Sequence, residues 1–407
     1  MADKVTLIQS IRRKIMEDLE FGEELSDVQM QELISRHLLG KEELQNLSLQ
    51  ERKQIGKDIF YSLRRLDVLQ ELLEDDKVTE IMVNGPSHIF VEKEGKIAKL
   101  SLEFESREKL LQVIQQIAAD CNRTINESSP IVDARLSNGS RVNAVLYPIA
   151  LNGPVLTIRR FSNKPMTMER LQQLGAVSKE AIEFLKKAVK ARYNILVSGG
   201  TGSGKTTFLN ALSQYIPKDE RVITIEDSAE LQLWGVQNLV RLETRNANME
   251  GGKVITIRDL IKTSLRMRPD RIVVGEVRGE EALDMIGSAM NCGHDGSMST
   301  AHANSAEDML TRLETMILMG VELPVSAIRR QIASGIDLIV HLGRLRDKSR
   351  KVLEITEVIG VQQEQIILNP IFQFQETGIN HQERVIGELK KTGELIHVYK
   401  MESAGIF

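Results

Sequence analysis

Residues 199–206 read GGTGSGKT and carry the clearest chemistry in the sequence. They satisfy the pattern G-x-x-x-x-G-K-[ST], in which glycines let successive backbone amides turn inwards around an anion. An apolar run at 195–197 precedes the loop and the helix-forming stretch TFLNAL follows it. The positive end of a helix would therefore also face the anion. The segment predicts a phosphate-binding loop for a nucleoside triphosphate.

Two residues of this loop have individual roles. Lys205 is expected to neutralise the β- and γ-phosphates, and the Thr206 hydroxyl is expected to bind Mg²⁺. ATP and Mg²⁺ are thus the predicted cofactors. The full set of predicted nucleotide contacts is Gly199, Gly200, Thr201, Gly202, Ser203, Gly204, Lys205, Thr206 and Thr207.

Two later strand-like segments end in carboxylates. The run ITIED ends in Glu226 and Asp227, and RIVVGE ends in Glu276. Parallel α/β sheets bind ligands at the carboxyl ends of their strands, so these groups are expected near the same nucleotide. One carboxylate can orient the attacking water while another supports Mg²⁺ through water. We predict Glu226 for the first role and Glu276 for the second, and the spacing leaves their order open.

Residues 293–304, GHDGSMSTAHAN, place His294 and His302 beside a third strand-like stretch. A single histidine is more often structural than catalytic, so the residues alone leave the role of His302 open. Neither histidine has a metal-ligand spacing with the nearby acids. The two cysteines, Cys121 and Cys292, lie far apart, which excludes a cysteine-based zinc site and fits a reducing cytosol.

The elements that must position these residues form an α/β protein. We predict an N-terminal helical bundle over 1–73, a small α/β (PAS-like) domain over 74–161, a linker over 162–172 and a RecA-like P-loop ATPase domain over 173–407. The evidence for the bundle is an apolar helical face and two capping boxes. Its residues are Ile8, Ile11, Ile15 and Leu19 on the face, and the pairs Ser26 with Gln29 and Ser48 with Glu51.

Alternating and apolar runs predict the strands of the two α/β domains. Strand-like alternation occurs at 80–85, 88–92, 141–146 and 155–159, and Ser106 is expected to begin a helix. Apolar runs at 195–197, 222–225, 272–274 and 336–342 alternate with helical segments. That alternation is typical of a mostly parallel sheet with helices on its faces.

The composition is that of an ordinary soluble globular protein. Hydrophobic residues make up 42% of the chain and charged residues 27%, and the net charge is −4. That charge predicts no general attraction to nucleic acid or to an anionic membrane. We expect neither a signal peptide nor a membrane span, because no run of about 18 uncharged apolar residues occurs.

The order of these motifs resembles the type II/type IV secretion ATPase superfamily. The loop at 199–206, TIED at 224–227, RPDRIVVGEVR at 268–278 and GHDGSMSTAHAN at 293–304 match its Walker A, Asp box, Walker B and His box. Within it, the chain is most similar to the CpaF-type motor of the tight-adherence (Tad/Flp) pilus. The motifs that suggest this subgroup are TEIMVNG at 79–85, VDARL at 132–136, GSRVN at 139–143, LETR at 242–245 and LRMRPD at 265–270.

The resemblance implies a homo-hexameric ring that binds nucleotide between an N-terminal α/β domain and the RecA-like domain. Such motors drive polytopic platform proteins of the cytoplasmic membrane, which implies a cytoplasmic protein associated with the membrane only through partners. The resemblance further implies that His302 is a nucleotide sensor, with His294 as its companion. It also implies that arginines of the N-terminal half contact the γ-phosphate or a subunit interface: Arg135, Arg141, Arg159 and Arg160.

Some positions depart from the family pattern. Cys121-Asn122 stands where glycine is common, Ala301 where leucine is usual, and the zinc-binding tetracysteine insertion of many type II motors is missing. Gly275 stands where many P-loop enzymes have aspartate, which is the family's own pattern.

Two other functions compete with a secretion or pilus motor. A DNA-translocating ring ATPase of a conjugation apparatus is disfavoured by the near-neutral charge and the lack of a basic tail, so no specific nucleic acid is expected. A nucleotide-dependent scaffold is disfavoured by the two glutamates at the strand ends.

Overall fold

A computed structural model of the chain describes residues 2–18, 25–39, 47–93, 95–160, 165–245, 253–291 and 293–406. The chain forms two compact units, Met1–Asn163 and Lys164–Phe407. Some predicted features lie outside the described residues. They are Leu19, the domain boundary predicted at residue 161, the first residues of the predicted linker, and Cys292.

A small helical bundle begins the first unit, as the sequence predicts. Its helices are α1 (Ala2–Asp18), α2 (Asp27–Leu39), α3 (Leu49–Arg64) and α4 (Leu69–Glu74). The predicted capping box forms at Ser48, whose hydroxyl accepts from the Glu51 amide while the Glu51 carboxylate accepts from the Ser48 amide. Ser26 and Gln29 make the equivalent pair. In the described part of the predicted apolar face, Ile11 and Ile15 are fully buried in the bundle core and Ile8 packs against it half-buried. Ile55 and Ile59 of α3 are buried in the same core.

An antiparallel sheet with a helix on one face completes the first unit. The elements are β1 (Val78–Asn84), β2 (Ile89–Lys93), β3 (Lys96–Lys99), α5 (Arg107–Asp120), β4 (Ile131–Arg135), β5 (Arg141–Val145) and β6 (Val155–Arg159). The strand order is β3-β2-β1-β6-β5-β4. Ser106 caps α5 as predicted, accepting from the Lys109 amide at 3.1 Å. Alternate strand residues are buried in the same core as α5, and the predicted small α/β domain is confirmed.

The second unit alternates strands and helices before a run of strands. Its elements are α6 (Met168–Gln173), α7 (Lys179–Lys190), β7 (Ile195–Gly199), α8 (Lys205–Ser213), β8 (Arg221–Glu226), β9 (Asn238–Glu243), α9 (Ile257–Ser264), β10 (Arg271–Val277), α10 (Glu281–Asp284) continued by a π-helical segment (Met285–Met290), β11 (Met298–Ala301), α11 (Ala306–Gly320), α12 (Val325–Gly335), β12 (Leu338–Arg344), β13 (Arg350–Gln362), β14 (Gln365–Ile379), β15 (Val385–Lys391) and α13 (Tyr399–Ser403). Helix α6 begins inside the predicted linker, and its Met168 is part of the core of this unit.

The strands of the second unit form one sheet in the order β15-β14-β13-β12-β7-β11-β10-β8-β9. The strands from β12 to β9 in this order are parallel, whereas β13, β14 and β15 extend the sheet antiparallel beyond β12. Strands β7, β8 and β10 are almost entirely buried, because helices cover both faces of the parallel part. The predicted RecA-like α/β fold is confirmed, and the antiparallel extension is an addition that the apolar pattern did not predict.

Parallel strands bring their carboxyl ends to one edge of the sheet, here called the P-loop edge. The residues at this edge are Gly199 at the end of β7, Glu226 at the end of β8, Glu276 on β10 and His302 after β11. The opposite edge, where the same strands begin, is called the entry edge. Within the described ranges, no helix is both long and apolar enough to cross a bilayer.

Candidate functional site

The loop between β7 and α8 has the backbone geometry of an anion cradle. Gly202 and Gly204 have φ angles of +71° and +95°, which glycine adopts at little cost and residues with a side chain disfavour. Gly204 is the N-cap of α8, so the unpaired amides of the first helical turn continue the loop. The predicted contacts at 199–207 therefore form one continuous segment with a helix N-terminus behind it.

Lys205 is the first residue of α8 and is only 8% exposed. Its ammonium donates to the carbonyls of Gly199 (3.1 Å) and Gly200 (3.2 Å) and lies 3.2 Å from His302 Nδ1. Burial lowers the pKa of Lys205, while the nearby Glu276 carboxylate opposes that shift. The loop thus holds a partly desolvated cation, which binds an anion more strongly than a hydrated one does.

His302 connects Lys205 to Glu276. Its Nε2 lies 2.9 Å from Glu276 Oε1, and Arg278 donates to the other Glu276 oxygen at 2.6 Å. Burial, followed by the charge of Lys205, lowers the pKa of His302, so the ring is neutral at pH 7. A neutral ring accepts from the Lys205 ammonium at Nδ1 and carries its proton on Nε2, facing Glu276. Lys205, His302, Glu276 and Arg278 therefore form a chain of close contacts.

Glu226 is a buried carboxyl with one satisfied oxygen. It is 2% exposed, and its Oε2 accepts from the amides of Glu230 (2.5 Å) and Leu231 (2.7 Å). Its Oε1 is buried with no hydrogen-bond partner among the described residues. Burial raises the pKa of Glu226 to about 7, against the opposing effect of the two amides. A carboxyl that titrates near neutral pH and has an unpaired oxygen suits a general base.

The position of Glu226 gives a reason for the glycine at 275. A Cβ on Gly275 would stand 2.9 Å from Glu226 Cγ and 3.3 Å from its Oε2. The carboxyl from β8 thus occupies the space into which a side chain on β10 would point. An aspartate at 275 and the observed Glu226 conformation exclude each other.

His294 lies away from this group, and Asp227 is bonded elsewhere although its charge still acts on Arg278. The Asp227 carboxylate accepts from the Thr244 hydroxyl at 2.8 Å. His294 Nδ1 lies 3.1 Å from the carbonyl of Pro269, just before β10, so His294 is at the entry edge. The short strand β11 runs between the two histidines and brings His302 alone to the P-loop edge.

The predicted arginines divide into two kinds within the first unit. Arg135, Arg141 and Arg159 are directly opposite one another on the neighbouring strands β4, β5 and β6, which places three guanidinium groups in one row on one face of the sheet. Arg160 is next in sequence and is held differently. Its guanidinium donates to the backbone carbonyls of Val78 (3.0 Å) and Asp75, contacts that fasten β1.

Two groups that the sequence did not single out also shape the P-loop edge. One is Arg278, the partner of Glu276. The other is His341 on β12, which is 5% exposed and has its Nδ1 2.8 Å from the Ser198 hydroxyl just before the loop. A backbone hydrogen bond joins the same ring to Asn304, two residues after His302, while burial lowers the pKa of His341. His341 therefore braces both the loop strand and the His302 segment.

The donor set fits a magnesium nucleotide. The described residues contain no cluster of three or more acids, histidines or cysteines of the kind that encloses a metal ion. Mg²⁺ usually keeps several waters and binds through substrate phosphates with one or two protein ligands. The Thr206 hydroxyl, in the first turn of α8, and Glu276 can supply that support. Buried Ser203 Oγ and Glu226 Oε1 have no hydrogen-bond partner among the described residues and are available to a ligand or its water shell.

Comparison with known proteins identifies the family. Residues 63–395 match the family described as Type II/IV secretion system protein. The type IV secretion system protein VirB11 of Brucella suis is 35% identical over 304 residues, covering 68% of this chain and 84% of that protein. The conjugal transfer protein TrbB of Rhizobium radiobacter is 32% identical over 299 residues, covering 72% and 88%.

Among solved structures, the fold is shared with a pilus retraction motor. The structure of PilT with bound ADP has a TM-score of 0.52 at 19% identity, covering 83% of this chain and 86% of that one. The chain belongs to the type II/IV secretion system protein family.

Proposed function

We propose that this protein is a Mg²⁺-dependent ATPase and works as a homo-hexameric motor for Tad/Flp-type pilus assembly or type II/IV secretion. It would act in the cytoplasm, attached to the cytoplasmic membrane through polytopic platform proteins. The observation that carries the proposal is the P-loop edge, where Lys205, His302 and Glu276 form a chain at the anion cradle. Beside it lies Glu226, with a pKa near neutral pH.

In the proposed reaction, the loop amides and Lys205 bind the phosphates of ATP. The ammonium leaves the carbonyls of Gly199 and Gly200, because a phosphate oxygen is the stronger acceptor. Glu226 takes a proton from the attacking water through its unpaired Oε1. Bound Mg²⁺ supplies positive charge against the phosphate oxygens.

His302 and the arginines of the first unit complete the proposal. When Lys205 turns to the phosphates, His302 Nδ1 loses its donor while Nε2 still faces Glu276, so the ring reports the state of the loop. Arg135, Arg141 and Arg159 are proposed as contacts to the γ-phosphate or to a neighbouring subunit. Their row is suited to spread phosphate charge, a role that can accelerate phosphoryl transfer by about 10³–10⁵.

Phosphate release and light scattering, measured together with and without an ATP analogue, test the proposal. We expect Mg²⁺-dependent release of phosphate, a hexamer, and loss of turnover in Lys205→Ala and Glu276→Ala. Turnover at the wild-type rate in Lys205→Ala would overturn the ATPase assignment. If the protein stayed monomeric at all nucleotide concentrations while turnover was normal, the hexamer would be overturned and the ATPase assignment would stand.

A DNA-translocating motor is the second candidate, because the relative TrbB is a conjugal transfer protein. Gel-shift titrations with duplex and single-stranded DNA at 50 and 200 mM salt separate the two. Tight binding that weakens steeply with salt would favour the conjugation-type motor. We expect weak binding, since the chain has a net charge of −4.

A further inference from the structure

The end of β12, the turn that follows and the start of β13 carry four exposed cations, Arg344, Arg346, Lys348 and Arg350. The residues between them in sequence are half-buried. Arg346 has a carboxylate partner, because its Nη1 donates to Glu376 at 2.8 Å. The turn itself is held by Asp347, whose carboxylate accepts from the amides of Ser349 and Val385, both at 2.9 Å.

Arg344 and Arg350 have a different situation. They are directly opposite each other across the β12–β13 pair, so their side chains leave the same face of the sheet. Neither guanidinium has an ion pair or hydrogen bond with another residue that the structure describes, in contrast to Arg346 nearby. Like charges placed directly opposite each other are destabilising. The pair therefore has an energetic reason to bind an anion between or beside its members.

The phosphate-binding loop lies next to this pair. Strand β12 pairs with β7 up to the register of Leu342 with Gly199, which fixes the turn beside the loop. Arg344 Nη1 is 4.0 Å from the point where a Cβ on Gly202 would stand, and Arg350 Cδ is 3.6 Å from the equivalent point at Gly204. Both side chains are long enough to reach past the glycines, which present no side chain of their own.

We infer that Arg344 and Arg350 form a second phosphate-binding element, which contacts the polyphosphate of the nucleotide held by the loop of the same chain. This inference rests on the proposed nucleotide binding. Each guanidinium offers planar, paired donors that match phosphate oxygens, whereas Lys205 offers a point charge. The pair would add affinity for the phosphates without contacting the base.

Competition binding with a base-free ligand tests the inference. Displacement of mant-ATP by inorganic tripolyphosphate is measured for wild type, Arg344→Gln, Arg350→Gln and the double variant. Each single change is expected to weaken tripolyphosphate binding about tenfold, the usual effect of losing one charge-assisted contact. Arg346→Gln and Lys348→Gln are matched controls on the same turn and are expected to bind within about twofold of wild type, as for a surface charge.

The outcomes separate this inference from the proposed function. Failure of the wild-type protein to bind mant-ATP would contradict both the proposed function and the role of the arginine pair. Loss of binding in Lys205→Ala, with unchanged tripolyphosphate affinity in both arginine variants, would leave the ATPase proposal standing and overturn the role of the pair.

Thermal shift supplies a second readout. The arginine variants are expected to keep or slightly raise the melting temperature without ligand and to lose part of the rise caused by tripolyphosphate; an unchanged rise would contradict the inference.

Discussion

At the entry edge of the parallel sheet, Arg271 is fully buried and bonded to Glu220 and to the carbonyl of Gly296. At the P-loop edge, Glu226 is almost equally buried, yet one of its oxygens has no hydrogen-bond partner among the described residues. The two edges belong to the same strands and differ in how completely their polar groups are paired.

Asn194 shows how thoroughly the entry edge is satisfied. Its side-chain amide donates to the carbonyls of Met290 and Gly335, and its oxygen accepts from the amides of Gly296 and Ser297. The P-loop edge instead has Ser203 and Glu226 with buried, unpaired oxygens within the described part of the chain. Complete pairing stabilises a fold, whereas unpaired groups and a partly desolvated Lys205 are free to bind a ligand.

The sharpest test of this contrast is Lys205→Ala. Turnover should fall about 10³-fold, because a cation that stabilises transferring phosphate charge is lost. The melting temperature should change little, since the partners of the ammonium among the described residues are two loop carbonyls and His302. Phosphate release and a thermal melt check both. Lys218→Ala, an exposed lysine after the same helix, is the control and should behave as wild type.

Arg271→Met tests the entry edge and should have the reverse effect. Removing Arg271 takes away the partner of Glu220 Oε2 while Arg192 still donates to Oε1, and should lower the free energy of unfolding by about 3 kcal/mol, the lower end for a broken buried pair. Turnover per folded molecule should stay near wild type. Urea denaturation measures the free energy of unfolding, and phosphate release measures turnover. The double variant with Glu220→Leu should recover much of the stability; a loss of turnover without loss of stability would reverse the assignment of the two edges.

Glu226→Gln should lower kcat about 10²-fold at pH 8, because the amide cannot accept the proton of water. In the wild type, burial raises the pKa of Glu226 to about 7, so the carboxylate base forms as the pH rises. Turnover should therefore increase through about pH 7 and level off above it, and Glu226→Gln should lack this limb. Rates from pH 5.5 to 9 provide the measurement.

Asp227→Asn is the matched control for Glu226→Gln. Its carboxylate accepts from the Thr244 hydroxyl and acts on the group around the loop through its charge beside Arg278. Near-wild-type turnover with the same pH limb is expected. If Asp227→Asn removed the limb and Glu226→Gln kept it, the general base would be assigned to the wrong residue.

The smallest expected effect is at His341. His341→Leu should lower kcat about tenfold, the scale of one or two hydrogen bonds, by loosening Ser198 and the His302 segment. His341→Gln, which can still accept and donate, should recover part of the loss at unchanged melting temperature. The Kd for ATP, measured alongside, should move less than kcat. A parallel fall in kcat, affinity and melting temperature in both variants would make His341 a core residue only.

Much of the second unit could be predicted from local patterns. The apolar runs at 195–197, 222–225 and 272–274 lie in strands, and the run at 336–342 lies in β12 from Leu338 onward. Continuous apolar sequence is what a strand covered on both faces requires. The antiparallel strands β13 to β15 were not predicted, since their mixed and partly exposed residues resemble surface sequence. Pairing with β12, not local propensity, places them.

The candidate site could be predicted only in part, because some of its geometry depends on strand order and register and not on local sequence. Lys205, Glu226, Glu276 and His302 come together because parallel strands end at one edge, which the order of motifs already implies. The separation of His294 from His302 depends on β11 running between them. The row of Arg135, Arg141 and Arg159 depends on strand register, which no single strand reveals.

The sequence alone predicts a glycine-rich loop between a strand and a helix, because the backbone freedom of glycine and the spacing of a lysine in the motif are local properties. Through the order of its motifs it also indicated the family. The state of each group depends on tertiary contacts. Burial raised the pKa of Glu226, the packing of Glu226 excluded a side chain at Gly275, and His302 was placed between Lys205 and Glu276. Desolvation and contact depend on neighbours that are distant in sequence, and these exist only once the sheet has formed.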